Sequence, residues 1–213
     1  MLRCSTSLWS ADLTNLASEI RRVEPYSERF HLDVADGHFV PTLLFFPDLV
    51  AAVRKQTRLP LEAHLMTTDP LAWVDPFADA GVDGFIVCLD SVEDPGPVLD
   101  AIKARGKFAA ISLRIEDPLE RLEPYWERLD LVTIFGTKVG IKGASLDPSI
   151  PDKVRQARTW IDGHKLATEI EVDGGIRRRS VPALKAAGAD WIVPGSLMFG
   201  EEPAEMRRWL DGL

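Results

Sequence analysis

Phe30-His31-Leu32-Asp33-Val34-Ala35-Asp36-Gly37-His38-Phe39 is the stretch from which the fold can be read. Successive side chains of a β-strand point to opposite faces, so His31 and Asp33 emerge together while Phe30, Leu32 and Val34 form an apolar face behind them. Asp36-Gly37 then turns the chain out of the strand. An imidazole and a carboxylate that project together begin a metal site. A His-x-Asp pair alone equally describes a hydrogen-bonded polar strand end, so its meaning depends on what the rest of the chain brings to it.

Outward from this strand one unit repeats. Strands are expected at 3–8, 29–35, 60–66, 84–89, 108–115, 131–137, 167–173 and 191–196, several of them apolar on both faces, as in a parallel sheet covered on both sides. Helices are expected between and after them at 12–23, 48–56, 71–80, 97–105, 119–128, 152–162, 180–187 and 202–213. Ser10, Asp69-Pro70 and Asp117-Pro118 serve as helix starts, and Gly81, Gly106 and Gly188 as helix stops. Eight strands alternating with eight helices and no linker argue for a single (β/α)₈ TIM barrel over 1–213, against the doubly wound open sheet as rival.

Composition narrows the function classes. The 213 residues are 46% hydrophobic and 27% charged, ordinary values for a globular chain with a substantial core. A net charge of −8 disfavours nucleic-acid binding, which needs a basic footprint, so an anionic substrate requires a local cluster of cations. No apolar run is long enough to span a membrane. Cys4 and Cys88 are widely separated and no secretory leader precedes them, which predicts reduced thiols in a cytoplasmic protein.

In such a barrel the chemistry sits at the C-terminal ends of the strands. The third strand carries His64 in Leu61-Glu62-Ala63-His64-Leu65-Met66, and the seventh ends Glu171-Val172-Asp173-Gly174-Gly175. Each has a plain reading, a hydrogen-bonded His and a turn. Together His31, Asp33, His64 and Asp173 make a mixed nitrogen and oxygen set suited to one divalent ion, Zn²⁺, Fe²⁺, Mn²⁺ or Co²⁺, far better than to Ca²⁺. A cation beside a ketone acidifies the neighbouring C–H, and two carboxylates can remove and return that proton on opposite faces. Gly174-Gly175 and Gly195-Ser196 put bare amides in the loops after strands seven and eight, where such barrels frequently hold phosphate.

These residues together resemble the ribulose-phosphate 3-epimerases and the related allulose-6-phosphate 3-epimerases over essentially the whole chain. Ser5 to Asp12 (STSLWSAD) is similar to the family's S-P-S-x-L-S-A-D, and His31 to Pro41 (HLDVADGHFVP) to H-x-D-x-x-D-G-x-F-V-P. His64-Leu65-Met66, Glu171 to Gly175 and Gly195-Ser196 match H-L-M, E-V-D-G-G and G-S. The resemblance implies that His31, Asp33, His64 and Asp173 bind the metal and that Asp33 and Asp173 double as the acid/base pair. It also implies that Ser7 contacts substrate, that Met66 packs under the metal site, and that the protein is a homo-oligomer acting on a small phosphorylated sugar. Glu171 is either a carboxylate that orients a ligand imidazole or one simply buried in the barrel. His38 and His164 read as solvent-facing or structural.

The pattern departs on the substrate side. The family's N-P-G-F-G-G-Q loop after strand six is here Lys138-Val139-Gly140-Ile141-Lys142-Gly143-Ala144. The Asn-Pro ending strand five is Arg114-Ile115, and H-C-E ending strand four is Cys88-Leu89-Asp90. Ala35 and Thr42 replace the family's Met and Asn, and Trp9 an aliphatic residue. Arg114, Lys138 and Lys142 are either solvated charges or ligands for a displaced phosphate or a carboxylate. The expected activity is therefore C3 epimerisation of a ketose phosphate, D-ribulose 5-phosphate by default. The alternatives are a related metal-enolate enzyme on another sugar or acid-sugar phosphate, such as a decarboxylase, and a non-catalytic sugar-phosphate-binding protein.

Overall fold

A computed structural model describes residues 2–213. Eight parallel strands, β1 (Arg3–Ser7), β2 (Arg29–Asp36), β3 (Leu61–Met66), β4 (Gly84–Cys88), β5 (Phe108–Leu113), β6 (Leu131–Phe135), β7 (Glu169–Asp173) and β8 (Trp191–Val193), pair in chain order. The barrel closes because β1 pairs with both β2 and β8. Outside it lie α1 (Leu16–Val23), α2 (Pro47–Arg54), α3 (Leu71–Asp79), α4 (Gly96–Ala104), α5 (Ile150–His164), α6 (Val181–Ala187), α7 (Ser196–Phe199) and α8 (Pro203–Asp211). None of these helices is long and apolar enough to cross a membrane.

The two-residue period of the strands sorts side chains into two environments. Phe30, Leu32 and Val34 face outward into the main core against the helices, with Ile20, Val50, Val53, Leu61, Leu65 and Phe77. The inward face carries a small apolar floor of Ile86, Ala110, Leu131 and Trp191 and, at the mouth, a second cluster of Ala35, Val40, Met66, Cys88 and Phe135. Between floor and mouth the barrel interior is polar, and the site lies there.

Several sequence expectations are corrected. The segment 119–128 is two 3₁₀ turns, Leu119–Leu122 and Trp126–Arg128, because Pro124 between them has no N–H to continue an α-helix. The expected start of the first helix at Ser10 gives way to Asp12, whose carboxylate accepts from the Thr14 N–H at 2.9 Å and opens a 3₁₀ turn before α1. The fifth strand stops at Leu113 because Asp117 takes the Arg114 N–H at 2.8 Å, so Asp117 serves a turn rather than a helix start. The eighth strand stops before Pro194. Two short elements had no sequence signal: Leu43–Leu44, antiparallel to Ala35-Asp36, and α7.

At the barrel floor, Arg29 lies between the rings of Phe108 (5.0 Å) and Trp191 (3.9 Å). A Cβ on Gly84 would overlap the Phe108 ring that Arg29 holds in place. Gly84→Ala is expected to cost about 3 kcal/mol by overpacking, read as a lower urea midpoint at unchanged slope.

Candidate active site and metal centre

Strand register assembles the site. Ser7 lies beside His31, His31 beside Glu62, Asp33 beside His64, Thr133 beside Glu171, and Phe135 beside Asp173. Four groups from three strands converge: the ligating atoms of His31, Asp33, His64 and Asp173 all lie within 4.8 Å of one another. Both imidazoles are fully buried, and Asp33 is 4% exposed.

Their outer contacts decide which atoms face inward. His31 Nδ1 is 2.8 Å from Glu62 Oε1, so this nitrogen carries the proton and Nε2 turns its lone pair to the centre. His64 Nε2 is 2.9 Å from Ser112 Oγ, leaving Nδ1 inward. The two inward nitrogens are 3.2 Å apart, with Asp33 Oδ1 at 3.7 Å and Asp173 Oδ2 at 3.8 Å from that of His31. Ser7 Oγ donates to the other Asp33 oxygen at 2.7 Å. Two acceptor nitrogens and two carboxylates aimed at one buried point require positive charge there, and a divalent cation with nitrogen and oxygen ligands fits it.

Electrostatics show the same demand. Burial alone would strip His31 of its proton, yet Asp33, the Glu62 hydrogen bond and Asp173 raise it to about 9. His64 is likewise raised against its burial by the approach of Asp173 and by Cys88. The two carboxyls are not equivalent. Burial and the charge of Asp173 push Asp33 up, whereas Asp173, despite burial, is held down by His64 and His31.

One layer deeper, Arg29 Nε meets Glu62 Oε2 at 2.8 Å and an Arg29 terminal nitrogen meets Glu171 Oε2 at 3.3 Å. Burial opposes the charge on Glu62, but Arg29 and the His31 hydrogen bond bring it to about 2. Glu171, buried and facing the Glu62 charge, rises to about 8 and accepts from Thr133 Oγ1 at 3.0 Å. His31, Glu62 and Glu171 also form an acidic group with metal-like spacing, but Arg29 already supplies its cation. Glu62 orients the ligand imidazole, and Glu171 stands 3.9 Å from it. The Glu-x-His spacing of Glu62 and His64, the same period as His31 and Asp33, was the signal that could have found it.

Above the ligands opens a cavity of about 230 Å³. Ser7, Met66, Gly174, Gly175, Gly195, Ser196, Lys138 and Lys142 all line it. Arg114 does not: its guanidinium turns to Asp90 at 3.4 Å and lies over the Phe39 ring at 5.4 Å. Arg177 and Trp9 do line it. Arg177 had gone unnoticed, although it follows Gly174-Gly175 by two residues. His38 is exposed at the Asp36 turn, His164 stacks on Trp160 at 4.2 Å, and Cys88 is buried with its sulfur 3.7 Å from His64 Nε2.

A family model described as "Ribulose-phosphate 3 epimerase family" matches residues 3–199. The ribulose-phosphate 3-epimerase of Chlamydia pneumoniae is 36% identical over 203 residues, 94% of this chain and 89% of that protein. That of Bacillus subtilis is 34% identical, covering 94% of each. The cytoplasmic isoform of Oryza sativa subsp. japonica is 35% identical over 96% of this chain and 90% of that protein. Among solved structures, 3-hexulose-6-phosphate synthase from Salmonella typhimurium superposes with a TM-score of 0.73 at 19% identity, over 99% of this chain and 97% of that one. KGPDC from Streptococcus mutans gives 0.74 at 11%, over 99% and 96%. At these identities the two structures speak for the barrel alone.

Because protons on the imidazoles compete with a metal, apparent affinity for Zn²⁺ or Mn²⁺ is expected to rise with pH up to about 9, where His31 loses its proton unaided. Calorimetry in buffers of different ionisation enthalpy should register the released protons. Glu62→Gln and Ser112→Ala should each weaken the metal by roughly 10–100-fold.

Proposed function

This chain belongs to the ribulose-phosphate 3-epimerase family, and we propose that it interconverts a ketose phosphate, D-ribulose 5-phosphate by default, with its C3 epimer. It is an isomerase of the carbohydrate-epimerase type. The observation that carries the reading is the convergence of His31, Asp33, His64 and Asp173 within 4.8 Å beside a glycine-walled cavity. A divalent ion held by these four residues would polarise the substrate ketone and acidify the adjacent C–H.

The chain's own groups do the rest. Asp33 and Asp173 serve as the acid/base pair, and their unequal environments suit a pair in which one holds a proton while the other accepts one. Ser7 fixes the Asp33 carboxylate through its 2.7 Å bond. Met66 offers an apolar, polarisable surface beside the reacting carbons. The amides of Gly174, Gly175, Gly195 and Ser196 receive the phosphate. Gly174 and Gly175 have φ of +94° and +70°, and a side chain on Gly175 would strike the Leu146 backbone. The acid-sugar alternative rested on Arg114 together with Lys138 and Lys142; Arg114 turns to Asp90 outside the cavity, which leaves that alternative only the two lysines.

We take 1–213 as one functional unit in the cytoplasm, supported by two free buried cysteines and by the cytoplasmic rice relative. Assembly with further copies is supported by the exposed apolar side chains Leu13, Leu43, Phe46 and Leu71.

The test is proton exchange. With metal loaded and ketose phosphates supplied in D₂O, NMR should show C3 deuteration with inversion. Asp33→Asn and Asp173→Asn should each slow it by roughly 10²–10⁴-fold, with metal content measured alongside to separate lost ligation from lost proton transfer. Silence across the panel with metal bound would overturn the assignment.

A further inference from the structure

Three cations, Lys138, Lys142 and Arg177, line the cavity above the ligands. Among the described residues none of the three has a carboxylate within 4.0 Å. Some neighbouring cations are paired, Arg178 with Glu201 at 2.6 Å, Arg121 with Asp90 at 2.7 Å and Arg114 with Asp90, whereas Arg179 meets only the Ser145 hydroxyl. What sets these three apart from other cations without an acid is that they line one cavity together, in a chain carrying 33 acidic residues against 25 Lys and Arg. What they do touch is neutral. Lys142 Nζ donates to the Trp9 carbonyl at 2.9 Å, and Arg177 donates to the Ile176 carbonyl at 2.7 Å and to that of Gly143 at 3.4 Å. Carbonyl contacts orient these side chains without cancelling their charge.

Their positions are specific. Arg177 follows the Gly174-Gly175 turn by two residues. Lys142 reaches Trp9, whose neighbour Ser10 sits where a Cβ on Gly195 would fall. The loop that supplies Lys138 and Lys142 is braced on the cradle at its far end, because the Leu146 backbone lies against Gly175. The cations therefore border the glycine amides of both loops, after β7 and after β8.

We propose that Lys142 and Arg177, assisted by Lys138, form a side-chain clamp for the phosphate dianion of the substrate, added to the backbone amide cradle. Arg177 offers a planar guanidinium donor and Lys142 a mobile point charge. On ligand entry Lys142 exchanges the Trp9 carbonyl for a phosphate oxygen. The clamp rests on the epimerase reading only for the identity of the sugar, and not for the anion.

The test uses the metal-loaded full chain with inorganic phosphate as the probe, titrated by calorimetry at several salt concentrations. Lys142→Gln and Arg177→Gln should each weaken phosphate roughly 10-fold, the double variant more than either, and each should flatten the salt dependence. Metal stoichiometry and circular dichroism establish that the variants are folded. Phosphate binding equal to the parent in both single variants and in the double variant would overturn the clamp. The two readings fail separately. Proton exchange on ketose phosphates with phosphate binding untouched by the variants would sink the clamp alone. Weakened phosphate binding in the variants without exchange in the parent would sink the substrate assignment and leave the clamp.

Discussion

Glu62 is the group on which the upper barrel depends. It lies fully buried and keeps its charge because Arg29 stands 2.8 Å away and because Ser5 and His31 donate to it. A buried carboxylate is tolerable only when so surrounded. Arg29 is in turn flanked by the Phe108 and Trp191 rings on the barrel floor. A continuous chain of contacts thus runs from the floor through Arg29 and Glu62 to the His31 ring. Glu171 shares Arg29 but not the charge: facing Glu62 in a dry interior, it holds its proton to about 8. The layer therefore balances one cation with one anion, and His31 is delivered to the centre in one tautomer and one orientation.

Strand register converts that chain of contacts into a site. With a period of two, Ser5 and Ser7, Arg29, His31 and Asp33, Glu62, His64 and Met66, and Glu171 and Asp173 all project inward on their strands. A slip of one residue in β2 would turn His31 and Asp33 into the helix-facing core and bring Phe30, Leu32 and Val34 into the polar interior. The outward apolar residues, large and fully buried, hold the register against that exchange. The same hydrophobic burial that makes the barrel thus aims its ligands.

This explains what could be read in advance. His31, Asp33, His64 and Asp173 were legible because each sits at a regular position on a strand, where spacing fixes direction. Glu62 is less legible because it shares its strand with a second inward polar residue, His64, and spacing does not say which of the two reaches the centre. The place of Arg114 is not legible because its strand ends at Leu113, two residues before the expected end, where Asp117 captures the Arg114 N–H and Asp90 its side chain, a contact between segments that sequence spacing does not express. Arg177-Arg178-Arg179 looks like one solvated run. In three dimensions Arg178 turns to Glu201, Arg179 to Ser145, and Arg177 into the cavity. Loop side chains have no periodicity, so their directions are set by tertiary contacts alone.

A division of labour follows from where the supporting contacts lie. Three of the four converging groups are steadied by a strand residue: His31 by Glu62, His64 by Ser112 and the stacked ring of Phe135, Asp33 by Ser7. Residues 138–144 of the loop after β6 contribute none of these side-chain contacts; their polar bonds run to Trp9 and Arg177 across the mouth, while Gly136 at the loop's start donates to the Asp173 carbonyl. Substitutions at 138–144 therefore change the cavity wall without touching the side chains that steady His31, His64 and Asp33. This accounts for a chain that keeps His31, Asp33, His64 and Asp173 in place while the loop after β6 carries lysines. The converging His and Asp side chains belong to the strands, and the cations that line the cavity belong to the loops.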